Sequence, residues 1–149
     1  KRMNLLVKHR EDHRPFCPSV LKEDAKQWFD IKKDADAAHY MLMAYPVKPE
    51  QRDLIPAVVH VDGTSRIQLV SAESNARYHE LISAFKALTG VPMLLNTSFN
   101  DREPIVCSPE DALKTFLRTK IDFLVIDNFI IRKKEVPHTA SATTARALV

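Results

Sequence analysis

The sequence predicts an α/β fold of the α+β kind, a mixed twisted sheet covered by helices. Strand and helix signals alternate in the order strand, helix, strand, hairpin, helix, strand, helix, strands, with no internal repeat. Two of the helices carry strong boundary residues, Gly90 closing one and Ser108-Pro109 opening the other. Several short runs, Phe123-Leu124-Val125-Ile126 among them, are rich in β-branched and aromatic residues.

Taken in order, Leu5 and Val7 alternate with polar positions and predict a strand. It should run into the charged segment Lys8-His9-Arg10-Glu11-Asp12-His13-Arg14, read as an extended loop, with Pro15 biasing Arg14 toward extended backbone. Pro18-Ser19 then predicts a helix start, with Ser19 as N-cap and Leu21, Ala25, Trp28 and Phe29 at helical spacing, packed inward through Trp28. Asp30 to Ala38 lacks an apolar face and is expected to be a mobile surface connection. Tyr40 to Val47 reads as a strand stopped at Pro46, and Pro46, Pro49 and Pro56 mark a long loop.

Asp62-Gly63 predicts a type I′ hairpin between Val58–Val61 and Ser65–Val70. Period-two alternation places Thr64, Arg66 and Gln68 on one face of it, away from Ile67 and Leu69. Tyr78, Leu81, Ile82, Phe85 and Leu88 form the stripe of a second helix ending at Gly90. The apolar run Val91 to Leu95 follows as a strand. The third helix starts with Ser108 as N-cap, Pro109 at the first position and Glu110 and Asp111 in the first turn, and buries Leu113, Phe116 and Leu117. Strands around Asp127-Asn128 close the domain, and from Pro137 the Ala, Thr and Ser content predicts a loose tail, so a domain over 1–136 and a flexible 137–149 are expected.

With 149 residues, 45% of them hydrophobic, the chain can bury one core. The net charge of +3 is spread over 22 basic and 19 acidic residues, which permits anionic ligands without implying nucleic acid. No apolar run has the length of a membrane span and the start has no secretory core, so a soluble, cytoplasmic protein with no membrane partner is expected. Cys17 and Cys107 lack metal or disulfide spacing and are expected as reduced thiols. The absence of an initiator Met leads to the expectation that this is a piece of a larger protein.

Two constellations carry polar chemistry. After the strand to Leu95 the chain breaks into Asn96-Thr97-Ser98-Phe99-Asn100, a cluster of donors and acceptors suited to phosphate, ribose or amide recognition as well as to an ordinary turn. In an extended segment Lys8, Arg10, Asp12 and Arg14 would share a face, and charge-assisted hydrogen bonds of about 1.5–3 kcal/mol each would let its cations hold a phosphate. His9, Glu11 and His13 lack the spacing of a helical metal site, and no metal site is assigned. With Gly63 and Gly90 as the only glycines, phosphate loops and dinucleotide fingerprints are excluded. No Ser stands in a nucleophile elbow and Cys107 has no motif, so covalent catalysis is not indicated.

Three segments taken together, Lys8-His9-Arg10-Glu11 with Arg14-Pro15-Phe16-Cys17-Pro18-Ser19, His60-Val61-Asp62-Gly63-Thr64-Ser65-Arg66, and Leu95 to Asn100 through Glu103-Pro104-Ile105-Val106, resemble the C-terminal domain of O-carbamoyltransferases that modify nodulation factors and antibiotics. The resemblance reaches to about Arg132 and implies a YrdC-like fold. It further implies use of ATP, with Mg2+, and of carbamoyl phosphate to make carbamoyl adenylate for transfer to a hydroxyl. The transfer and its metal would belong to an upstream Kae1-like domain of the same polypeptide. By this resemblance Lys8, Arg14 and Arg66 are catalytic candidates, with Arg10 secondary, and Ser19, Asn96, Thr97, Ser98 and Asn100 are nucleotide- or carbamoyl-binding candidates. The family usually has a glycine between the basic residue and the Glu of the last loop, whereas Arg102-Glu103 here has none, implying a stiffer loop. An RNA-binding module of YrdC-like type and a non-catalytic interaction domain are the alternatives. The first is disfavoured because aromatic and basic residues do not interleave.

Overall fold

The computed structural model describes residues 2–11, 13–32 and 35–133. Its centre is a three-stranded sheet of order β4-β1-β5, formed by β1 (Cys17–Leu21), β4 (Gln68–Val70) and β5 (Met93–Asn96). β1 pairs parallel with β4 and antiparallel with β5, so the sheet is mixed and the fold is α+β. This overturns the expected helix at Pro18-Ser19. All five residues of β1 are buried, as a strand flanked on both sides must be, and Ser19 sits within it rather than capping a helix. Pro18 is tolerated because it precedes the start of the parallel ladder at Ser19. The helix that remains is α2 (Ala25–Trp28), a single turn, and Trp28 is buried as expected.

The predicted first strand is also a helix, α1 (Arg2–Leu6). Alternation would have buried Leu5, which is 49% exposed; the inward pair is Met3 and Val7, four apart and on one helical face. Ala35–Tyr40 is a 3-10 helix, and Ala38 within the segment expected to lie on the surface is fully buried. Of the strand expected over Tyr40 to Val47 only β2 (Tyr45–Pro46) forms, paired with β3 (Thr64–Ser65). The proline-rich loop winds into 3-10 helices Pro49–Leu54 and Pro56–Val58.

The expected hairpin of Val58–Val61 with Ser65–Val70 does not form, since β3 pairs with β2 and β4 with β1, and the turn at Asp62-Gly63 closes only a local loop. Gly63 N–H donates to His60 C=O and His60 N–H to Thr64 C=O, which makes a three-residue loop with the left-handed residue, Gly63 at φ 78°, in last place. Asp62 does not have the positive φ of a type I′ turn. A side chain at 63 would strike the Arg52 guanidinium.

α3 (Ala72–Thr89) and α4 (Pro109–Arg118) match their boundary signals. Ser71 and Ser74 close a reciprocal cap on α3, Gly90 ends it in the left-handed conformation, and Ser108 Oγ accepts from the Asp111 N–H. Only part of each apolar stripe is covered: Ile82 and Phe116 are buried, but Leu88 and Leu117 are exposed. β6 (Phe123–Ile126) and β7 (Phe129–Arg132) form a separate hairpin that packs Leu124 on Ala112 and Phe116, with Asp127 at φ 49° in its turn. The expected tail from Pro137 lies outside the described residues.

The central sheet has two unlike faces. One carries Val20, Ile67, Leu69 and Met93 into the main core with Phe16, Trp28, Phe29 and Val47. The other is divided along its length: Leu21 and Val70 lie under Ile82 of α3, while Cys17, Ser19, Gln68 and Asn96 are left as a polar half.

Candidate functional site

Strand pairing assembles the polar half. Ser19 stands opposite Gln68 and Cys17 opposite Asn96. Ser19 Oγ donates to Gln68 Oε1 at 2.6 Å, and Asn96 Nδ2 donates to Gln68 Oε1 at 2.7 Å and to Ser19 Oγ at 3.0 Å. Arg66, on the same face two residues before Gln68, donates through Nε to Cys17 Sγ at 3.3 Å. The rest of its exposed guanidinium has no partner among the described residues. The face that alternation assigned to Thr64, Arg66 and Gln68 is thus real at Arg66 and Gln68.

The loop leaving β5 is held from two sides. Lys8 is buried, and its Nζ faces four oxygens: Ser98 C=O at 2.9 Å, Ser98 Oγ at 3.2 Å, Asn100 C=O at 2.7 Å and Asn100 Oδ1 at 2.8 Å. An ammonium has three hydrogens, so all of them are engaged. Burial, then the charge of Arg10, lowers the Lys8 pKa from its ordinary range, against the opposing pull of Asp101 and Glu103. Beside it His9, at φ 44°, bonds Asp101 Oδ1 through Nδ1 at 2.9 Å.

Glu103 stitches the other side. Its Oε1 accepts from Thr115 Oγ1 of α4 at 2.7 Å and from the Asp101 N–H, its Oε2 accepts from the Arg102 N–H and pairs with Arg118, and its C=O accepts from Asn100 Nδ2. These bonds close the glycine-free loop with no residue from Asn96 to Glu103 at positive φ. The Glu103 carboxyl is drawn from 4.5 down to about 2, first by the Thr115 hydroxyl and then by backbone N–H groups, with burial opposing.

The other sequence candidates lie differently. The segment after α1 is not extended: Val7 and Lys8 N–H donate to Met3 C=O, and Arg10 N–H donates to Asn4 C=O. The cations therefore do not share a face. Arg10 stacks on Phe16 at 4.6 Å and donates to Asn4 Oδ1 at 2.7 Å, whereas the exposed Arg14 guanidinium lies 3.8 Å from Glu11. Asp12 lies outside the described residues. The Thr97 side chain has no hydrogen-bond partner among the described residues. Ser19 and Asn96 are thus brought together with Arg66, and Ser98 and Asn100 with Lys8; Arg14 joins neither group.

Sequence reasoning missed Gln68, Cys17 and Glu103 as members of these networks. Alternation had put Gln68 beside Arg66; what was needed was to read Cys17–Leu21 as the strand facing it. The cavity of about 540 Å³ lined by Leu54, Ile55, Val58, Phe85 and Met93 is apolar and offers no charged donor, so the polar face is the better candidate. Among the described residues no helix is long and apolar enough to cross a membrane.

Removing the Lys8 ammonium should free the loop. We expect Lys8→Met to lower unfolding free energy by about 2–4 kcal/mol and to speed amide exchange at Ser98 to Asn100; a stability change below about 0.5 kcal/mol would contradict the anchoring role. Glu103 has a folded-state pKa below its unfolded value, so its stabilisation is complete above about pH 4.5 and lost as pH falls through about 2. Urea unfolding across that range should show Glu103→Gln less stable than the parent at pH 6, the gap closing toward pH 2; a gap that persists at the acid end would show that its charge is not the cause.

The sequence profile of the family described as Carbamoyltransferase C-terminus matches residues 1–133. Among curated relatives, the chain is 49% identical over 89% of its length to the nodulation protein NolNO of Sinorhizobium fredii, covering 20% of that protein. It is 45% identical over 89% of its length to the nodulation protein NolO of Bradyrhizobium diazoefficiens, covering 24% of it, and 43% identical over 63% to the nodulation protein U of Rhizobium tropici, covering 16%. The chain thus spans at most about a quarter of the length of these relatives.

Proposed function

The chain belongs to the carbamoyltransferase C-terminus family, and from that premise we propose that it binds carbamoyl phosphate and ATP and supports formation of carbamoyl adenylate within an O-carbamoyltransferase. The observation that carries this reading is the polar half of the sheet, where the open Arg66 guanidinium stands beside the linked amides of Gln68 and Asn96. A guanidinium matches a phosphate and a primary amide matches a carbamoyl group. Arg14, exposed and weakly paired, is a second cation for the phosphates. Lys8 reaches a phosphate oxygen by exchanging one of its loop bonds, and otherwise holds Ser98 and Asn100 in place from behind.

Catalysis of this kind is positioning and stabilisation of negative charge, which requires no nucleophile from the protein. Among the described residues no three His, Cys, Asp or Glu side chains are placed to hold a metal ion. Mg2+ would enter this site with ATP, held mainly by the triphosphate oxygens, and would neutralise phosphate charge there. Transfer of the carbamoyl group to a hydroxyl, and any metal used for it, fall in this reading to an upstream Kae1-like domain, and the cytoplasm is the compartment that supplies ATP.

Isothermal titration tests the proposal. We expect saturable binding of carbamoyl phosphate and of ATP, and a loss of about tenfold to a hundredfold in carbamoyl phosphate affinity for Arg66→Ala, the range of one to two charge-assisted hydrogen bonds. Absence of binding of both compounds, or an Arg66→Ala chain that binds as the parent does, would refute it.

A further inference from the structure

The two carboxamides of the polar face are each committed at one end only. Gln68 Oε1 accepts two hydrogen bonds, from Ser19 Oγ and Asn96 Nδ2, and Asn96 Nδ2 is shared between Gln68 and Ser19. Gln68 Nε2 and Asn96 Oδ1 have no partner among the described residues. Carboxamide oxygen and nitrogen exchange places on a 180° flip, but a donor must meet an acceptor where the two amides join. Flipping both together therefore leaves the same result: one NH2 group and one C=O group turned away from the link. Ser19, fully buried beneath them, donates to one amide and accepts from the other in either arrangement, while both amides remain partly open.

Such a pair is the complement of a primary carbamoyl group, whose C=O accepts and whose NH2 donates. An adenine edge has the same donor and acceptor alternation. The position of Arg66 two residues away on the same face, with a free guanidinium edge, favours a small molecule that joins the amide directly to a phosphate. We infer that Gln68, with Asn96, is the specificity element of the site: the outward Gln68 NH2 donates to the carbamoyl C=O, and the outward Asn96 C=O accepts from the carbamoyl NH2 and so discriminates against acyl phosphates that lack an N–H donor. The inference rests on the carbamoyl phosphate reading above and adds a residue and a selection rule to it.

Acetyl phosphate, in which a methyl group replaces the NH2, separates the two. The parent chain should bind carbamoyl phosphate about tenfold more tightly than acetyl phosphate, the worth of about one hydrogen bond that only the amide makes. Asn96→Leu, which removes the acceptor for the carbamoyl N–H, should bring the ratio close to one, whereas Gln68→Met, which removes the donor to the C=O that both compounds carry, should weaken both several-fold and leave the ratio. Gln68→Glu retains the inward acceptor for Ser19 and Asn96 and so preserves the network, but turns an oxygen toward the C=O that both compounds carry; it should weaken both and keep the preference. A folded Asn96→Leu chain that keeps the preference overturns the inference, as do a Gln68→Met chain that binds both compounds as the parent does and a parent that binds the two acyl phosphates equally. Loss of ATP-over-GTP selectivity in Asn96→Leu with the carbamoyl preference intact would assign the pair to adenine instead. A parent that binds neither acyl phosphate defeats the functional reading itself.

Discussion

Everything at the polar site depends on β1 lying in the middle of its sheet. Because Cys17–Leu21 pairs with β4 on one side and β5 on the other, residues as distant as Ser19, Gln68 and Asn96 become neighbours, and side chains of one parity form a continuous surface. The Val20 side of this sheet is closed by the core. On the opposite side α3 reaches only as far as Leu21 and Val70, so the remainder stays polar and open. Burying an unpaired Ser or Asn there would be costly, and the Ser19–Gln68–Asn96 bonds offset that desolvation while leaving two amide ends over.

The loop that follows β5 solves a related problem with charge. Its carbonyls at Ser98 and Asn100 converge and need donors, which the Lys8 ammonium supplies from the segment after α1. On its other flank Glu103 accepts from Thr115 and from backbone N–H groups of the loop itself. A loop with no glycine keeps ordinary backbone angles because these anchors define its path; the left-handed residue is His9, across the contact.

Elements with local boundary signals were legible in the sequence. Gly90 and Ser108 act within a turn or two of the chain, so α3 ends and α4 begins where capping places them, whereas the Ser71 cap at the start of α3 was not read. β1 was not legible, since Pro18-Ser19 resembles a helix start and only pairing with β4 and β5 makes it a strand. α1 was misread for a kindred reason: Met3, Leu5 and Val7 alternate as in a strand while Met3 and Val7 also stand at helical spacing, and the exposure of Leu5 decides for the helix. The site was half legible. Motif residues at Arg66, Asn96 and Ser98 are in the networks, but whether Lys8 or Arg10 faces the loop or the core is fixed by contacts 90 residues away in sequence, such as Lys8 with Ser98.

The central claim is that the polar half of the sheet is a ligand face. Nitrogen-proton NMR of the labelled chain, titrated with carbamoyl phosphate, tests it most directly. The largest shifts should fall on the side-chain NH2 signals of Gln68 and Asn96 and on Arg66 Nε, with smaller ones at the Ser98 and Asn100 amides. Shifts concentrated instead around Leu54, Phe85 and the apolar cavity, with the Gln68 and Asn96 signals unmoved at saturation, would contradict it.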